Sequence, residues 1–114
     1  MAKIKLPKWT QVYPQGTTTG DEEQRFFIAL VRNINYTFRS IEALMKEAKL
    51  SRERVEQIIL KYHKKKMIYQ NPKSENQWGY WERVQKEMPN LIPDEEISLA
   101  KHNQKQRIDN KSKN

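Results

Sequence analysis

Apolar positions along this chain fall into short stripes at helical spacing, broken by tight junctions and by one run with a β-like pattern. The clearest stripe lies in residues 51–66, SRERVEQIILKYHKKK, where Val55, Ile58, Ile59 and Tyr62 stand at i, i+3, i+4 and i+7. Ser51 is placed to cap this helix, because its hydroxyl can accept from a backbone N–H that the first turn leaves unpaired. Leu50 and Val55 occupy the two positions of a hydrophobic staple. Lys64-Lys65-Lys66 ends the segment where positive charge complements the negative end of the helix dipole. At 100° per residue Gln57 and Lys64 point away from the stripe, with Arg54, Lys61 and Lys65 on one flank. The pattern predicts a helix that is buried on one side and basic on the other.

Two further helices precede it. Thr19-Gly20-Asp21-Glu22 has capping-box spacing and predicts a start at Thr19 or Gly20, with Phe27, Leu30, Val31 and Ile34 as the buried stripe and Asn33 and Asn35 at the exit. The run Tyr36–Arg39 is rich in β-formers. Ser40 then caps a helix whose stripe is Ile41, Leu44, Met45 and Ala48, and only Lys49-Leu50 separates it from Ser51. Two short helices at so tight a junction, the second one basic, form a helix-turn-helix pattern.

After the basic helix, Met67–Gln70 and Gln77–Trp81 are β-prone and flank the turn formers Asn71–Asn76, which predicts a hairpin with a loop of about six residues lying against the helices. Tyr69, Trp78, Tyr80 and Trp81 are expected to pair across its strands and cover the helices, with at least one of Trp78 and Trp81 buried and Gly79 leaving room for a close approach. Residues 1–18 read as an extended basic arm whose Trp9, Val12 and Tyr13 pack on the domain, with a short strand over Lys3–Leu6. Residues 85–114 read as a linker, a short helix with the thin stripe Ile97, Ala100, Gln104 and Ile108, and a disordered basic tail.

Between residues 20 and 84, this succession looks like a winged helix-turn-helix domain. The stretch LSRERVEQIILKYHKKKMIYQNP resembles the third-helix-to-wing segment of that superfamily, with Lys66 where a glycine is usual. The expected fold is therefore mainly α with a small β-hairpin, a winged helix over 19–84 between an N-terminal arm and a C-terminal helical tail. The resemblance implies DNA binding or protein assembly, since winged helices serve both.

Charge sharpens this expectation. The chain has 114 residues and a net charge of +8, placed as +3 over residues 1–20, +4 over 51–66 and +4 over 101–114, against −3 over 67–100. Such placement suits a polyanion. In a DNA reading Gln57 pairs with adenine, Arg52 or Arg54 with guanine, Lys61, Lys64 and Lys65 grip the backbone, Lys73 and Asn76 act from the wing, and the Ser51 hydroxyl meets phosphate. The implied role is a transcription or replication regulatory factor. Glu53 and Leu60 project from the same outer face and favour the alternative, an adaptor that docks on a larger protein complex.

Chemistry other than binding finds little support. There is no cysteine, which excludes disulfides and thiolate metal sites and fits a reducing compartment, the cytoplasm or, for a DNA-bound protein, the nucleoid or nucleus. His63 and His102 have no second metal-type ligand at useful spacing, so no metal or cofactor is expected. The acidic triplets at 21–23 and 94–96 sit at helix starts, where the dipole explains them. No phosphate-binding glycine loop or nucleophile elbow occurs, so an enzyme is not expected. No apolar run approaches ~20 residues, and the start MAKIKLPKW lacks the apolar core of a secretion signal.

Overall fold

The computed structural model describes residues 6–10 and 16–112, with side chains through 107. The expected strand over Lys3–Leu6, the packing of Val12 and Tyr13, and the side chain of Ile108 lie wholly or largely outside the described residues.

Helix α1 spans Thr18–Val31. Its cap is Thr17, whose hydroxyl accepts from Gly20 N at 3.0 Å. This corrects the expected start at Thr19 or Gly20: the earliest hydroxyl able to reach an unpaired N–H starts the helix. Phe26, Phe27, Leu30 and Val31 are buried, but Ile34 is 72% exposed because the helix has ended before it. Strand β1 (Phe38–Ser40) leads into α2 (Ile41–Ala48), where Ser40 Oγ accepts from Ala43 N at 3.1 Å as expected. Ile41, Leu44 and Ala48 are buried, and Met45 packs partly buried against the same core.

Lys49 closes α2 in the left-handed region at φ 57°. Helix α3 follows at Arg52–Lys64, with Ser51 Oγ accepting from Arg54 N at 3.1 Å. All four expected inward residues, Val55, Ile58, Ile59 and Tyr62, are buried. Lys66 reverses the chain at φ 63°, and Met67 N donates back to Tyr62 O at 3.0 Å, a bond typical of a left-handed helix ending.

The hairpin is tighter than expected. Strand β2 is Ile68–Asn71 and strand β3 is Ser74–Tyr80, so the connection is Pro72-Lys73 rather than about six residues. Asn71 Oδ1 accepts from Lys73 N at 2.9 Å, a local turn that lets the polar residues after it pair as strand. A third strand completes the sheet: β1 pairs antiparallel with β3, which lies centrally in the order β1-β3-β2. Trp81 is not a strand residue. It opens α4 (Trp81–Glu87), buried at 4% exposure. Nor do the hairpin rings pair across strands as expected. Tyr80 stacks on Trp9 with centroids 4.1 Å apart, whereas Tyr69 and Trp78 meet His63 of α3 edge-on.

The two ends of the described chain share this core. Trp9, in a 3-10 turn over Lys8–Thr10, is 3% exposed. In place of a short helix with a disordered tail, α5 runs Asp94–Ser112 and buries Ile97, Ala100 and Arg107. The result is a mainly helical molecule with a small three-stranded antiparallel sheet. Among the described residues no helix is long and apolar enough to cross a membrane.

Candidate functional site

Packing the Val55–Tyr62 stripe on α1 and α2 turns the opposite side of α3 outward, next to the β2–β3 hairpin. Arg52, Glu53, Glu56, Gln57, Leu60, Lys61, Lys64 and Lys65 are exposed there, and Arg54 is half-buried. The cations are unevenly available. Arg52 pairs with Glu42 at 2.9 Å and with Glu56 at 3.4 Å. Hydrogen bonds from Asn76 and then Arg52 hold the Glu42 carboxyl below its ordinary range, and the bond to Glu42 raises the Arg52 guanidinium. Asn76, expected to reach phosphate, thus serves Glu42 instead.

Arg54 bonds Glu22 of α1 at 2.6 Å and also donates to Gln57 Oε1 at 3.0 Å. Lys61 reaches Glu23 at 2.6 Å. That carboxylate is 1% exposed and also receives the Tyr62 hydroxyl and the Arg107 guanidinium, so Lys61 completes an internal network. Gln57, expected to face a base edge, lies between Arg54 and Glu53. Ser51 Oγ already accepts the capping bond. Among the described residues no carboxylate lies within ion-pair distance of Lys64, Lys65 or Lys73. Solvent-exposed pairs such as Arg52–Glu42 exchange easily, whereas Lys61 faces a buried acid and does not.

A concavity of about 330 Å³ opens between α3 and the hairpin, lined by Ile41, Glu56, Ile59, Leu60, His63, Glu75 and Trp78. Leu60 is 56% exposed at its edge. His63 Nδ1 lies 2.9 Å from the Ile68 carbonyl; a carbonyl only accepts, so Nδ1 carries a proton and donates it there. The indole N–H of Trp78 is shielded from solvent and has no acceptor among the described residues. An unmade bond of this kind costs about 1–3 kcal/mol.

Reading the sequence found Leu60 and Glu53 on this face but missed Glu56, His63, Glu75 and Trp78 as a group, because two of them come from a strand whose register no local pattern sets. It also missed Glu22, Glu23 and Glu42 as partners of α3. Glu22 and Glu23 had an adequate local explanation at a helix start, and the i, i+4 spacing of Arg52 and Glu56 was the one legible pairing signal. Among the described residues no group of three or more His, Asp or Glu side chains forms a metal site. Comparison with protein-family models, with curated proteins and with solved structures finds no match to this chain.

Proposed function

We propose that the chain is a winged helix-turn-helix module that works by binding rather than catalysis, and that the face made by α3 and the wing docks on a protein. The succession α1-β1-α2-α3-β2-β3, with an antiparallel sheet, supports the winged-helix reading. One observation carries the choice of partner. Leu60 stands more than half exposed beside an apolar concavity, while Arg52, Arg54 and Lys61 on the same helix are held by carboxylates of the chain itself. An exposed aliphatic side chain flanked by Glu53 and Glu56 suits a protein surface, not a phosphate backbone. The module would then recruit or be recruited to a larger assembly, in transcription or replication, the role that the winged-helix resemblance implies. The lack of cysteine fits a reducing compartment such as the cytoplasm.

Duplex DNA is the second reading, favoured by Lys64, Lys65 and Lys73, which have no acidic partner among the described residues, and by the net charge of +8. One experiment separates them. The tagged chain is retrieved from expressing cells with and without nuclease, alongside Leu60→Asp and a Lys64→Glu/Lys65→Glu variant. Docking predicts a protein that survives nuclease, is lost in Leu60→Asp and is kept by the lysine variant. It also predicts weak duplex affinity, with a log K against log salt slope no steeper than about −2.7, the value for three phosphate contacts. A steep slope, with retention abolished by nuclease and by the lysine variant, would replace docking with DNA binding.

A further inference from the structure

The geometry points to a specific chemistry for the docked partner: we infer that the concavity between α3 and the hairpin receives a cationic peptide segment anchored by an aliphatic side chain. This rests on the docking reading and adds the class of ligand. The apolar part of the lining is Ile41, Ile59, Leu60 and Trp78, and the volume of about 330 Å³ is at the small end for ligand pockets. That suits one or two side chains of a longer segment better than a whole small molecule.

The rim decides the sign of the partner. Glu56 and Glu75 both line the opening, and Glu53 stands one turn from Glu56 on α3. Glu75 and Glu53 have no cationic partner among the described residues, and Glu56 has only the 3.4 Å contact with Arg52. Two carboxylates thus line one apolar opening, with Glu53 a turn beyond it, on a chain whose net charge is +8. This local reversal repels a polyanion and attracts lysine or arginine, while the rest of the surface discourages cationic partners from docking elsewhere. Polar capacity for a peptide backbone is present as well. The Trp78 indole N–H has no acceptor among the described residues, and Trp78 lines the opening.

The test uses the full chain and a fluorescent twelve-residue probe, KLLKKLLKKLLK, with two controls, one replacing every lysine by glutamate and the other every leucine by serine. Anisotropy at physiological salt should show the lysine–leucine probe binding at least about tenfold tighter than either control. The probe should lose about tenfold or more in Leu60→Asp and again in Glu56→Lys/Glu75→Lys. Both changes are on exposed residues, and circular dichroism should report an unaltered fold. Equal binding of the three probes, or binding that neither variant weakens, would overturn the inference. So would concentration-dependent self-association lost in Leu60→Asp, which would make the occupant a second copy. If the glutamate probe binds and is lost in Leu60→Asp, docking stands and the cationic assignment fails. If Leu60→Asp leaves the co-purifying protein in place, the docking reading itself fails.

Discussion

Three residues carry more structural constraint than their type suggests. Gly79 lies where β1, β3 and α4 converge; a Cβ there would sit 2.5 Å from Thr37 O and 3.0 Å from both Phe38 Cδ1 and Val84 Cγ2. The first of these is backbone and cannot swing aside. Gly79→Ala should therefore destabilise by about 1–3 kcal/mol in chemical denaturation, and a neutral result would show that the strands separate easily. This close approach was legible from Gly79 lying between two tryptophans. Lys49 and Lys66 are the reverse case, with φ 57° and 63° at positions where glycine is usual. The chain reversals persist without it because each is closed by backbone bonds, Leu50 N to Met45 O and Met67 N to Tyr62 O.

Helix α3 is the element whose behaviour follows most directly from its residues. A hydroxyl cap, an apolar stripe at i, i+3, i+4, i+7 and a basic last turn act in concert, each worth a fraction of the stability. Its C-terminal end is the weak point, since Lys66 is strained. Lys66→Gly should raise stability by about 0.5–1 kcal/mol, measured by urea titration, with α3 and its partners unchanged. No gain would mean that the lysine relieves its strain by other contacts. The hairpin behaves differently. Local preference favours a longer loop, because Ser74, Glu75 and Asn76 are poor strand formers. Pairing to β2, and the bonds from Gln70 to Glu75 O and from Asn71 to Gln77, override that preference.

At the scale of the whole molecule, the ends are joined through one buried cluster. Arg107 of α5 donates to Trp9 O, to Glu23 of α1 at 3.2 Å and to Tyr62 of α3 at 2.8 Å. The Arg107 side chain is 5% exposed and that of Glu23 1%, so removing Arg107 leaves the buried carboxylate only the half-exposed Lys61 as counter-charge. Arg107→Met should cost about 3–5 kcal/mol, and Glu23→Leu added to it should restore much of the loss. Denaturant midpoints of the single and double variants decide this, and equal losses would show that packing, not charge, holds α5. The same burial sets an alkaline limit. Desolvation is the first cause that lifts the phenols of Tyr62, Tyr69 and Tyr80 above the ordinary 10.0. The folded chain then holds protons that the unfolded chain releases, so their contribution is complete below pH 10 and falls as pH rises beyond it. Denaturant midpoints should fall above that pH, and phenolate absorbance from these three tyrosines should appear only with unfolding.

The residues alone determined the helices around 41–64, their caps and the face that α3 buries, because those features depend on neighbours within a turn or two. They also determined that Leu60 and Glu53 face outward with the lysines. Tertiary structure decided which cations remain free, since Glu22, Glu23 and Glu42 reach α3 from other helices. It decided equally that a polar C-terminal segment becomes a packed helix, because Gln104 there meets Tyr80 and Trp81, and Arg107 meets Glu23. Local patterns record what a residue prefers. Which distant charge or ring satisfies it is a property of the assembled chain.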